Sequence, residues 1–102
     1  MGRYVSIARG TPELARAWEE RWKAIATGKA PKAVLDAMKK IKIITGEVSV
    51  ANGLAFWVME IKDEDLLETQ KFARYFTDVV RMEQYPVISL EDFNKLMLSE
   101  WK

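Results

Sequence analysis

The stretch NGLAFWVMEIKDED, Asn52 to Asp65, decides the fold. Its centre, Leu54 to Ile61, is a strand whose two sides are both apolar up to Glu60. Successive strand side chains project to opposite faces, so Leu54, Phe56 and Val58 share one side. Ala55, Trp57, Met59 and Ile61 share the other. A strand in a sheet with one wet face alternates apolar with polar residues. This one does not, so each of its faces needs a cover. Asn52-Gly53 ahead of it is a hairpin signal, which makes the preceding β-rich segment, Ile43 to Val50, its antiparallel neighbour. Behind it, Asp63 can cap a helix, and Glu64 and Asp65 suit the positive end of the helix dipole.

Working outward, Arg3 to Ala8 (RYVSIA) alternates and reads as a first strand. Thr11 and Pro12 then fit the N-cap and first position of a helix. Leu14, Trp18, Trp22 and Ile25 recur at helical spacing as its apolar stripe. Gly28 and Pro31 break the ladder, and a second helical piece follows with Val34, Leu35, Met38 and Ile41 inward. After Asp63 the spacing predicts a helix with Leu66, Leu67, Ala73, Phe76 and Val79 buried. A fourth strand is expected within Val80 to Ile88, with Pro86 near its end. Its Arg81, Glu83 and Pro86 suit an edge. Ser89-Leu90-Glu91-Asp92 is a capping-box pattern that opens a C-terminal helix at about 89–101, with Leu90, Phe93, Leu96 and Met97 as its stripe.

The order β-α-β-β-α-β is the split βαβ arrangement, so an α+β, ferredoxin-like domain over residues 1–102 is expected. It consists of a four-stranded antiparallel sheet with helices on one face. The first helix is interrupted and an extra helix is added at the C-terminus. The first and third strands are central. Trp57, Met59 and Ile61, which lead into a helix, are expected to face the helices together with Val5 and Ile7. Phe56 and Val58 would then lie on the open face beside Tyr4 and Ser6. A bare apolar patch of that kind is unusual on a monomer. A second copy covers it, the C-terminal helix folds over it, or it is a binding platform.

The run Gly53 to Asp65, with Thr45-Gly46-Glu47-Val48 before it, resembles a small family of unknown function. The shared pattern is Gly-x-x-Phe-x-x-x-Glu-x-x-Asp, here Gly53, Phe56, Glu60 and Asp63, followed by a Phe-rich helix (Phe72, Phe76) and a strand ending in Pro86-Val87. The resemblance covers about residues 43 to 88 and the first strand. It departs in the longer stretch Thr27 to Lys42 and in the added helix. It implies a ferredoxin-like fold of the dimeric α+β barrel type, and no established activity.

The chain has 102 residues, one domain's worth, with 16 basic and 15 acidic residues and a net charge of +1. No strong field is available to steer it onto nucleic acid or an anionic membrane. Cys and His are both absent. That excludes disulfides, thiolate chemistry, His-dependent nucleophiles and Cys/His zinc sites, and no metal or cofactor is expected. No apolar run is long enough to span a bilayer, and the N-terminus does not read as a signal peptide. A cytoplasmic protein without a membrane partner is the expectation. Lys29, Lys32, Lys39, Lys40 and Lys42 cluster, which reads as a solvated face before it reads as an anion site.

The candidate ligand-binding residues are those expected on the open face: Tyr4, Ser6, Phe56, Val58, Glu60, Arg81 and Tyr85. Glu60 is the most informative, because a carboxylate at a central strand's end, with Arg81 near, can orient or deprotonate a small molecule. A solvated or ion-paired Glu is the plainer reading of that residue. Trp18, Trp22 and Trp57 read as core, and Trp101 as partly exposed or at an interface. Three functions compete. The first is a homodimeric ligand-binding or regulatory domain with a pocket between packed sheets and a small-molecule ligand. The second is a cofactor-independent monooxygenase or isomerase of the dimeric barrel kind, weakened by the lack of His. The third is single-stranded RNA binding, since Asn52 to Met59 partly imitates an RNA-recognition octamer with Tyr4 as a second ring. The missing aromatics at Leu54 and Met59 and the neutral charge put that reading last.

Overall fold

The computed structural model describes residues 2–100. Four strands form one antiparallel sheet in the order β2-β3-β1-β4. They are β1 (Gly2–Gly10), β2 (Ile41–Ser49), β3 (Leu54–Ile61) and β4 (Val80–Pro86). The helices are α1 (Ala15–Ala26), α2 (Lys32–Lys39), α3 (Leu66–Arg74) and α4 (Leu90–Glu100). This is the expected element order, with β1 and β3 central. The expectation for Trp101 and for the end of the last helix lies outside the described residues.

Local chemistry explains most boundaries. Pro12 opens a single 3-10 turn, Pro12–Leu14, before the α-helix begins, and Thr11 makes no side-chain cap. Gly28, at φ 74°, ends α1 in the left-handed conformation that only glycine takes cheaply. The β2–β3 connection departs from a two-residue hairpin. Val50–Asn52 form a 3-10 turn and Gly53 alone takes positive φ, at 60°. A Cβ on Gly53 would lie 3.0 Å from the Gly10 carbonyl oxygen, which explains the glycine twice over. β2 begins two residues earlier than expected, so Ile41 closes a strand face and not a helix stripe. In α3 the expected inward Leu67 is 85% exposed, and Phe72 and Thr69 take the buried positions.

The core lies between the sheet and α1–α3. Trp22, Trp57, Phe72 and Phe76 form an aromatic cluster with ring centroids 5.1–6.1 Å apart, mostly edge to face. Trp18 packs beside them with Met59 and Ile61. Against these large rings the sheet presents Ala8 and Ala55, exposed by 0% and 3%.

That packing corrects the expected phase of β1. The register sets Ser6 opposite Trp57, Tyr4 opposite Met59 and Ala8 opposite Ala55. Cross-strand partners share a face, so Tyr4 and Ser6 point to the helices, and Ser6 is buried. Val5 and Ile7 are on the open face, opposite Val58 and Phe56. Alternation in RYVSIA leaves the phase open, because both sides carry apolar side chains. The volume taken by Trp18, Trp57 and Phe76 decides it, since small residues must stand opposite them.

Two polar clusters tie the helical layer together. Arg21 of α1 donates to both carboxylate oxygens of Asp78, each at 2.9 Å, and to the Tyr75 carbonyl, with its guanidinium over the Tyr75 ring. This hydrogen bonding holds the Asp78 carboxyl below its ordinary value and raises Arg21. Lys40 bonds Glu68 at 2.5 Å, which lowers Glu68 and raises Lys40 in the same way.

Candidate functional site

The open face is a grid. One middle row runs Tyr85, Val5, Val58, Thr45, and the next runs Glu83, Ile7, Phe56, Glu47. Four apolar side chains therefore meet at its centre: Val5, Ile7, Phe56 and Val58. The rows on either side are charged. Arg81, Arg9 and Leu54 form one, and Arg3, Glu60 and Lys42 the other. No described helix packs broadly against this centre. Phe56 is 39% exposed and Tyr85 49%.

Of the seven candidates, Phe56, Val58, Glu60, Arg81 and Tyr85 do share this face. Tyr4 and Ser6 do not, for the packing reason given. Glu60 and Arg81 lie in opposite end rows, across from Arg3 and Arg9, six residues apart along β1 or about 20 Å. The expected proximity of those two is therefore corrected. Arg81 instead lies 3.6 Å from Glu83, which also faces Arg9 at 4.0 Å. Glu60 has basic neighbours on both sides and reaches Lys42 at 3.8 Å, with its side chain 28% exposed.

Glu60 also borders two shallow hollows. One, of about 360 Å³, runs from Arg3 and Glu60 to Ser89 and Asp92 at the start of α4. The other, of about 350 Å³, is lined by Lys39, Lys40, Lys42, Lys62, Glu60 and Asp65. This second hollow gathers part of the lysine cluster seen in the sequence, with Lys40 already engaged by Asp65 and Glu68.

Sequence reasoning missed a crevice on the helix side. It is about 290 Å³, mostly apolar, and sits between α1 and the β2–β3 connection. Trp18, Trp22, Val48 and Val50 line it, with the Gly10–Gly53 backbone hydrogen bond of 2.7 Å at its edge. Among the described residues, Trp57 Nε1 is the buried side-chain polar atom without a partner. The exposed Val48 and Val50 were the available signal, read as ordinary strand residues.

No family model matches the chain, and no curated protein matches it. Solved structures do. The chain is similar to the 30S ribosomal protein S6 of Thermotoga maritima, with a TM-score of 0.52 and 16% identity, covering 99% of this chain and 98% of that one. It is also similar to a dimeric ferredoxin-like protein from an uncultured marine organism, with a TM-score of 0.51 and 9% identity, covering 88% and 95%. The fold is ferredoxin-like. No described helix is long and apolar enough to cross a membrane.

Proposed function

We propose that this chain is a self-associating binding domain, a homodimer that works through the open face of its sheet. The observation that carries the reading is the central block of Val5, Ile7, Phe56 and Val58, framed by charged rows. An apolar centre inside a polar rim is the usual anatomy of a protein interface. The described part of the C-terminal helix does not pack broadly against the block. A small-molecule pocket between the two packed sheets would be bordered by Phe56, Val58, Glu60, Arg81 and Tyr85, with charged groups at both ends to orient a polar ligand. The dimeric state of the marine ferredoxin-like protein supports the choice of a second copy as the cover.

Mass measurement in solution tests this. The wild-type chain is expected to be a dimer at micromolar concentration. Phe56→Glu or Val58→Glu places an unpaired charge in the interface, at a cost of about 3–5 kcal/mol, and should yield a folded monomer. A monomeric wild type overturns the reading.

A second reading, single-stranded RNA binding, draws on the likeness to ribosomal protein S6 over nearly the whole chain. Tyr4 is turned toward the helices, so the stacking rings available on the open face are Phe56 and Tyr85, in adjacent rows. Stacking is worth roughly 1–3 kcal/mol per base. Tight oligonucleotide binding that is lost in Phe56→Ala, by a monomeric protein, would put this reading first.

A further inference from the structure

The described part of the C-terminal helix is an amphipathic element that leaves most of its apolar stripe uncovered. Ser89 Oγ accepts the Asp92 backbone N–H at 3.1 Å, so the helix is properly started. Three of its four stripe residues are nonetheless exposed, Leu90 by 74%, Phe93 by 45% and Leu96 by 50%, and only Met97 is half-buried. The molecule measures 52 × 32 × 19 Å with a radius of gyration of 15.6 Å, against about 13 Å for a compact chain of this length. A helix of 11 residues is marginal in water without tertiary packing. Its sequence therefore implies a surface that receives it, and the described part of its own body supplies little of one.

The chain carries a matching surface at the β2 edge. β2 is almost wholly exposed, and beside the register shift between Ile43 and Thr45 both Ile43, on the helix side, and Ile44 are open to solvent, 47% and 39% exposed. An apolar edge strand is a liability that proteins commonly blunt by laying a helix over it. Charge also complements. The first turn of α4 carries Glu91 and Asp92, and β2 starts beside Lys62 and beside Lys39 and Lys42, which reach Asp36 at 4.0 Å and Glu60 at 3.8 Å within the chain. At about 1.5 Å per residue α4 covers about 16 Å, the span of about five strand residues.

We propose that α4 is a docking arm for a second copy of this chain. It seats along the partner copy's β2 edge, with Phe93 and Leu96 on Ile43 and Ile44 and its acidic start against the basic cluster. Reciprocal exchange of two arms closes a two-fold dimer without free ends. The proposal rests on the homodimer reading above, and it leaves the open faces free to meet each other as that reading requires.

The absence of cysteine makes cross-linking clean. Phe93→Cys protein is mixed with mass-tagged Ile44→Cys protein and oxidised. A disulfide-linked species containing one chain of each is expected, and it must be intermolecular. In parallel, Phe93→Glu and Leu96→Glu should each weaken self-association at least tenfold while leaving the thermal transition of the monomer in place. If the wild type is a dimer that Phe56→Glu breaks, but Phe93→Glu leaves it intact and no mixed cross-link forms, the arm is wrong and the open-face reading stands. If Phe93→Glu breaks the dimer and Phe56→Glu does not, the arm stands alone. Intramolecular cross-linking in the Phe93→Cys/Ile44→Cys double variant, or a monomeric wild type, overturns the proposal.

Discussion

The two faces of the sheet both have apolar centres and are used in opposite ways. Toward the helices stand Ser6, Ala8, Ala55, Trp57 and Met59, small residues interleaved with large ones and nearly all buried. On the other side stand Val5, Ile7, Phe56 and Val58, medium-sized and regular, with charged rows at both ends. A core needs interlocking shapes, because three helices bring their own bulky rings to it. A face that meets another sheet, or a ligand, needs a flat apolar centre and a rim that fixes orientation. Apolarity at the centre does not separate the two faces; size patterning and the charged rows of the open face do.

The comparison can be broken most forcefully on the helix side. Phe76 is fully buried among Trp22, Phe72 and Tyr75. Phe76→Ala should cost about 3–5 kcal/mol of folding stability, read by urea or thermal unfolding. Loss of less than about 1 kcal/mol would mean that the cluster is not the centre of the core.

A sharper test exchanges the faces of β1. Ser6→Val adds bulk opposite Trp57 and should destabilise by about 1–3 kcal/mol through overpacking. Val5→Ser, on the open face, should leave the folded monomer nearly unchanged and act on association. Equal effects from the two changes would contradict the register.

Glu60 separates binding from folding. Glu60→Gln keeps the shape and removes the charge between Arg3 and Lys42. It should change unfolding stability by no more than about 0.5 kcal/mol, as exposed pairs do, while altering ligand affinity at the open face. A screen of small polar ligands by thermal shift, wild type against variant, is the measurement. A large loss of stability with no change in any ligand's effect would make Glu60 structural.

The smallest effect is electrostatic and belongs to the solvent ends of the helices. Asp78 and Glu68 have folded-state values below their ordinary ones, set chiefly by hydrogen bonds from Arg21 and Lys40. Their contribution is therefore complete above the ordinary carboxylate value of about 4 and lost as pH falls through the lowered one. The raised Arg21 and Lys40 work in the other sense, stabilising below their ordinary values and ceasing to do so only at high alkaline pH. Thermal midpoints measured against pH should fall on the acid side, and Asp78→Asn with Glu68→Gln should flatten that slope.

Much of this was legible in the residues alone. The two-sided apolar run of Leu54 to Ile61 identified a central strand, Asn52-Gly53 its hairpin, and Gly28 with Pro31 the break between α1 and α2. These signals are local, so backbone preference and spacing suffice to read them. Five of seven open-face candidates also fell on the right side, because period-2 alternation fixes which residues of one strand travel together. What alternation leaves open is which of its two sides turns inward. In β1 that choice depended on rings from α1, β3 and the turn after α3, brought together only by the fold, and it turned Tyr4 and Ser6 inward. The distance between Glu60 and Arg81 had the same origin, since register across three strands is a tertiary quantity. So had the exposure of α4: its stripe was plain in the sequence, but only the folded body shows that Leu90, Phe93 and Leu96 are left exposed.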